Sequence, residues 1–86
     1  MNIHVTNLSL NTIDADLRKL FSTYGRIESA IIIRDKVNGR PNGTAMIDMP
    51  NDAQGSQAVL SLNRTMVNGK SISVTEIKYS VKDYKN

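Results

Sequence analysis

A chain of 86 residues forms one domain with a single small core. Its 40 % apolar fraction, with only two prolines and five glycines, marks a folded chain and not a disordered one. The absence of cysteine excludes disulfides, thiolate chemistry and cysteine-ligated zinc, and the single histidine, His4, makes neither a metal site nor a catalytic triad. Eleven basic residues against eight acidic ones leave a net charge of +3, a modest tilt toward a polyanionic partner that ordinary solubility charge explains as well.

The first predicted element is a strand over residues 2–7, in which Ile3 and Val5 point one way and His4 and Thr6 the other. LSLN at 8–11 reads as a loop. Ile13, Leu17, Leu20, Phe21 and Tyr24 then make one helical stripe over 12–24, with Thr12 as the N-cap, Asp14 and Asp16 in the first turn and Gly25 as the stop. IESAIIIR at 27–34 is β-branched and predicts a strand. If Ile27, Ala30 and Ile32 face inward, with an irregularity between Ile27 and Ala30, then Ile31 and Ile33 face outward. DKVNGRPN at 35–42 reads as a loop turning at Asn38 and Gly39.

A third strand is expected over 43–49, with Ala45, Ile47 and Met49 on one side and Thr44, Met46 and Asp48 on the other. Pro50, Asn51 and Asp52 are helix-start residues for a second helix carrying Ala58, Val59 and Leu62. Gly55 within it marks either a close approach to the sheet or a frayed first turn. A loop over 63–70 turns at Asn68 and Gly69. The last strand, 71–77, has Ile72 and Val74 inward, and 79–86 is a polar tail beyond a domain of residues 1–78. The order strand, helix, strand, strand, helix, strand predicts a βαββαβ ferredoxin-like α+β sandwich, with both helices on one face of a four-stranded antiparallel sheet. Its open face is expected to carry His4, Thr6, Thr44, Met46, Asp48, Ser71, Ser73 and Thr75. Arg34, Lys36 and Arg40 crowd one loop with only Asp35 against them, and Lys78, Lys82 and Lys85 recur near the end with only Asp83.

These residues carry a resemblance. IHVTNL at 3–8 resembles the RNP hexamer of the RNA recognition motif, and NGTAMIDM at 42–49 occupies the place of its RNP octamer. LRKLFSTYG, AVLSLN and NGKSISV are similar to the family's first helix, second helix and last strand, so the resemblance runs over essentially the whole chain and is to the small single-domain bacterial members. It implies single-stranded RNA as partner, with bases stacked at the hexamer's second position and the octamer's third and fifth. Those positions are His4, Thr44 and Met46, so two of three rings are missing. Asn42 stands where the octamer has a leading basic residue. The residues expected to meet RNA are His4, Thr6, Arg34, Lys36, Arg40, Asn42, Thr44, Met46 and Lys78, with weak and unspecific binding.

A second reading of the same face is a protein-interaction module, or self-association, through the aliphatic residues Ile31, Ile33 and Met46; the tail, with Tyr79 or Tyr84, is a further candidate to cover that strip. No enzymatic activity or cofactor is expected. The chain shows no glycine-rich phosphate cradle, no paired carboxylates in one motif and no nucleophile with a base. No stretch approaches the roughly 18 apolar residues of a membrane span, and the N-terminus lacks a basic region followed by an apolar run. A cytoplasmic protein without a membrane partner is the expectation.

Overall fold

The structure, a computed structural model, describes residues 1–78. The elements are β1 (Asn2–Thr6), α1 (Asp14–Ser22), β2 (Ser29–Arg34), β3 (Pro41–Asp48), α2 (Asp52–Leu62), β4 (Met66–Val67), β5 (Lys70–Ser71) and β6 (Ser73–Ile77). Four strands form one antiparallel sheet in the order β2-β3-β1-β6, with β1 and β3 central, and β4 pairs with β5 in a separate hairpin. The period-two pattern is realised directly: Ile3 and Val5 of β1, and Ala45 and Ile47 of β3, are buried in one cluster with Leu17 and Phe21 of α1 and Ala58 and Leu62 of α2. Leu20 and Val59 pack against this cluster half-buried, so both helices cover one face of the sheet. Among the described residues no helix is long and apolar enough to cross a membrane. The expected tail over 79–86, including Tyr79 and Tyr84, lies outside the described residues.

Helix α1 is shorter than its apolar stripe predicts, and Thr12 is not its cap. Ile13 holds the cap position with an extended backbone (φ −116°, ψ 168°), and its N–H donates to Asp16 Oδ2 at 3.1 Å. Ile13 thereby leaves the stripe and is 55 % exposed. Thr12 is instead buried, and its hydroxyl accepts from Asn68 Nδ2 at 3.2 Å, tying the β4–β5 hairpin to the loop before α1. A buried hydroxyl needs a partner, and the hairpin supplies it. Asp14 also has a specific task. Its Oδ1 accepts the Ile32 N–H at 3.1 Å, satisfying a backbone donor on the edge strand β2.

Gly25 and Gly55 answer to close approach. A Cβ on Gly25 would overlap the Gln54 side chain, whose Oε1 accepts the Arg26 N–H at 3.3 Å. A Cβ on Gly55 would lie 2.7 Å from the Met1 sulfur. The first turn of α2 is not frayed: Asn51 caps it, accepting the Gln54 N–H at 2.9 Å.

Two strands depart from expectation. β2 begins at Ser29, two residues later than predicted, and its irregularity lies between Ile32 and Arg34, not between Ile27 and Ala30. The predicted last strand is split. Lys70 and Ser71 turn back on β4 through Asn68 (φ 49°) and Gly69 (φ 86°), a two-residue left-handed turn suited to hairpins. Only from Ser73 does the chain pair with β1. Ile72 is the joint: it is fully buried, its N–H donates to Thr65 O at 2.9 Å, and its carbonyl accepts from Arg64 at 2.7 Å. Ser71 therefore pairs with Met66 and leaves the predicted open-face set.

Phe21 is the largest fully buried side chain, at the centre of the cluster between α1 and the sheet. Phe21→Ala is expected to be the most destabilising single truncation, costing about 3–5 kcal/mol in urea unfolding; a loss under 1 kcal/mol would contradict this packing.

Candidate nucleic-acid interface

The register of the sheet sorts the open face into rows. His4 lies opposite Met46 on one side and Thr75 on the other, and Met46 lies opposite Ile31, so Ile31, Met46, His4 and Thr75 run across all four strands. One step toward the start of β1, Ser29, Asp48, Asn2 and Ile77 form a parallel row. One step the other way, Thr6 pairs with Ser73, and Thr44 follows Ala45 on the side of Met46. The face therefore grades from a carboxylate row through a row with an imidazole and aliphatic chains to a row of hydroxyls. His4, Met46, Thr6 and Thr44 are half-buried, while Ile31 is 55 % exposed.

At the hydroxyl end β3 bulges. Between the pairs Ile32–Ala45 and Arg34–Pro41, β2 has one residue, Ile33, and β3 has three, Asn42, Gly43 and Thr44. Asn42 fills the interrupted ladder with its side chain: Oδ1 accepts the Thr44 N–H at 3.2 Å and the Thr44 hydroxyl at 2.7 Å. Gly43 sits at φ 87°, its carbonyl accepts the Leu8 N–H at 2.9 Å, and a Cβ there would meet the Leu8 carbonyl at 3.3 Å. Left-handed backbone and close approach both call for glycine. Bulges of this kind re-aim side chains and recur beside functional sites.

The loop joining β2 to β3 lies at the same end. Asp35 Oδ1 accepts the N–H groups of Val37 and Asn38 at 2.7 and 3.1 Å, Asn38 Oδ1 accepts that of Arg40 at 2.9 Å, and the Asp35 N–H donates to Arg40 O at 2.8 Å. One oxygen of the one carboxylate among these bases is thus engaged by the backbone. Arg34 Nη1 donates to Gly39 O at 3.2 Å, and Arg34, Lys36 and Arg40 are all exposed.

The structure brings together eight of the nine sequence-predicted contact residues: His4, Thr6, Thr44 and Met46 on the face, with Asn42, Arg34, Lys36 and Arg40 at its hydroxyl end. It separates Lys78 from them. Lys78 follows Ile77, which pairs with Asn2, so it stands at the Asp48 end of the sheet. It is about 24 Å from the loop along β3, at roughly 3.4 Å per residue. Ser73 and Thr75 enter the rows beside Thr6 and His4, which their parity already indicated. The Asn42–Thr44 turn was readable in principle from Asn followed by Gly, a pattern in which the Asn side chain bonds the backbone two residues on.

The sequence profile of the RNA recognition motif family matches residues 3–73. The chain is 33% identical over 78 residues to the RbpD protein of Nostoc sp., named as RNA-binding, covering 91% of this chain and 83% of that one. It is 36% identical over 74 residues to a sex-lethal homologue of Musca domestica, covering 86% of this chain but 23% of the relative, so the chain spans about a quarter of that protein's length. The crystal structure of RNA-binding protein PG1 superposes with a TM-score of 0.89 at 30% identity, covering 93% of this chain and 96% of that one.

Proposed function

The chain belongs to the RNA recognition motif family, and from that premise we propose that it binds single-stranded RNA across the open sheet face, weakly and with little sequence preference, as a non-enzymatic cytoplasmic protein. The observation that carries this reading is the row Met46–His4 beside a basic loop whose only carboxylate is engaged by backbone. Among the described residues His4 is the single flat ring on the face, and Met46 opposite it offers a polarizable surface that tolerates any base. Each stacked base contributes roughly 1–3 kcal/mol, so two absent rings remove about 2–6 kcal/mol. An interaction near −8 kcal/mol, about micromolar, then falls to tens of micromolar or weaker.

Phosphate contacts carry the larger share of such an affinity, and they do not read sequence. Arg34, Lys36 and Arg40 serve a short strand at the hydroxyl end; Lys78 joins only when the strand crosses the whole face.

The salt dependence is therefore expected to grow with RNA length, from a slope of about −2 in log affinity against log salt for three phosphate contacts to about −3 for four. Arg40→Ala should make the slope shallower by nearly one unit and weaken all sequences alike in fluorescence anisotropy titrations, whereas a loss confined to particular sequences would assign Arg40 to base reading. Met46→Phe should strengthen binding roughly tenfold without altering the slope, by restoring a stacking plane opposite His4. If Met46→Phe leaves RNA affinity where it was and Met46→Asp abolishes self-association in sedimentation, the face with Ile31 and Ile33 is a protein interface instead.

A further inference from the structure

We infer that the β3 bulge at residues 42–44 is the place where this sheet distinguishes ribose from deoxyribose, with Thr44 Oγ1 accepting a hydrogen bond from a 2′-hydroxyl; the inference rests on the RNA-binding reading. The argument begins with the polarity of the Asn42–Thr44 turn. A backbone N–H only donates, so the Asn42 atom facing the Thr44 N–H at 3.2 Å is the amide oxygen. That oxygen carries no hydrogen. The Thr44 hydroxyl at 2.7 Å from it must therefore donate, which spends its one proton inside the turn.

What the turn leaves over is complementary. The amide nitrogen of the exposed Asn42 keeps both hydrogens unspent in the turn, and Thr44 Oγ1 keeps its lone pairs. A phosphate oxygen is an acceptor, so it suits the amide and is refused by Thr44 unless the 2.7 Å bond breaks. Along a sugar-phosphate backbone the group able to donate to Thr44 is the 2′-hydroxyl, which DNA lacks. The neighbourhood favours the same orientation. Thr6 and Ser73 continue the hydroxyl row, the basic loop lies at this end, and Asp48 lies at the other.

The bulge also makes this polarity durable. Asn42 Oδ1 is held by two donors, and Gly43 keeps its left-handed conformation against the Leu8 backbone, so turning either group into the opposite role breaks at least one bond that the turn makes.

The test uses the full chain and three probes that differ only at the 2′ position: oligouridine, oligo-2′-deoxyuridine and oligo-2′-O-methyluridine. The methylated probe keeps an acceptor at that position and loses the donor. The parent protein should favour oligouridine over both others by about fivefold, the worth of one modest hydrogen bond. Thr44→Val, which keeps the β-branched shape, should bring oligouridine affinity down to that of the deoxy probe. Thr44→Ser should retain the preference, and its far-ultraviolet circular dichroism and that of Thr44→Val should match the parent. Equal oligouridine-to-deoxyuridine ratios in parent and Thr44→Val would overturn the inference while leaving RNA binding intact, as would a 2′-O-methyl probe binding as tightly as oligouridine. Failure of all three probes to bind the parent overturns the RNA-binding reading along with it.

Discussion

In the pairing of β1 with β3, Ile3 meets Ile47 and Val5 meets Ala45 on the side of the helices, and the pleat then assigns His4 and Met46 to the opposite side. A slip of one residue would turn the apolar pairs outward and press an imidazole against Phe21. Burying each large apolar side chain is worth about 1.5–3 kcal/mol, so the slip would forfeit a sum comparable to the whole net stability of a small domain, about 5–15 kcal/mol. The same register that builds the core therefore builds the open face. Everything beyond it, the position of the edge strands, the helices on one side and the rows on the other, follows from these central pairs.

Where that register ends, the face acquires its most specific chemistry. The two extra residues of β3 interrupt the ladder with β2, and Asn42 repairs the interruption with its own side chain. A lysine or arginine at position 42 would add charge for phosphate, yet it has no acceptor and would leave the Thr44 N–H and hydroxyl without their partner. In this chain the positive charge is supplied instead by the neighbouring loop, where Arg34, Lys36 and Arg40 are exposed and Asp35 Oδ1 accepts two backbone N–H groups.

The two ends of the open face differ in charge balance. At one end Asp48 lies 3.9 Å from the Met1 ammonium, Glu28 is paired with Arg26 at 3.4 Å and Lys78 follows β6, while the arginine loop closes the other. A polyanion crossing such a face is drawn to the loop end and has little reason to extend past the His4 row until it reaches Lys78. Under the proposed RNA-binding reading, this imbalance would set a direction and a length for a bound strand, both of which bear on how many phosphates it presents to protein cations.

Periodicity and punctuation in the sequence by themselves determined the element order, the two-sided strands, the core residues Leu17, Phe21, Ala58 and Leu62, and the open face with His4, Thr6, Thr44 and Met46. These are local properties, written at spacings of two or of three and four residues. The caps and joints were not legible in the same way. Thr12 has the composition of an N-cap, but the distant Asn68 claims its hydroxyl, and Ser71 has the parity of the last strand but turns back on Met66. The bulge of β3 against β2, the edge bond from Ile32 to Asp14 and the separation of Lys78 from the arginine loop were decided only by tertiary structure. Each depends on which strand lies beside which, and on how many residues each spends between two shared pairs, and no local pattern encodes a count taken across two strands.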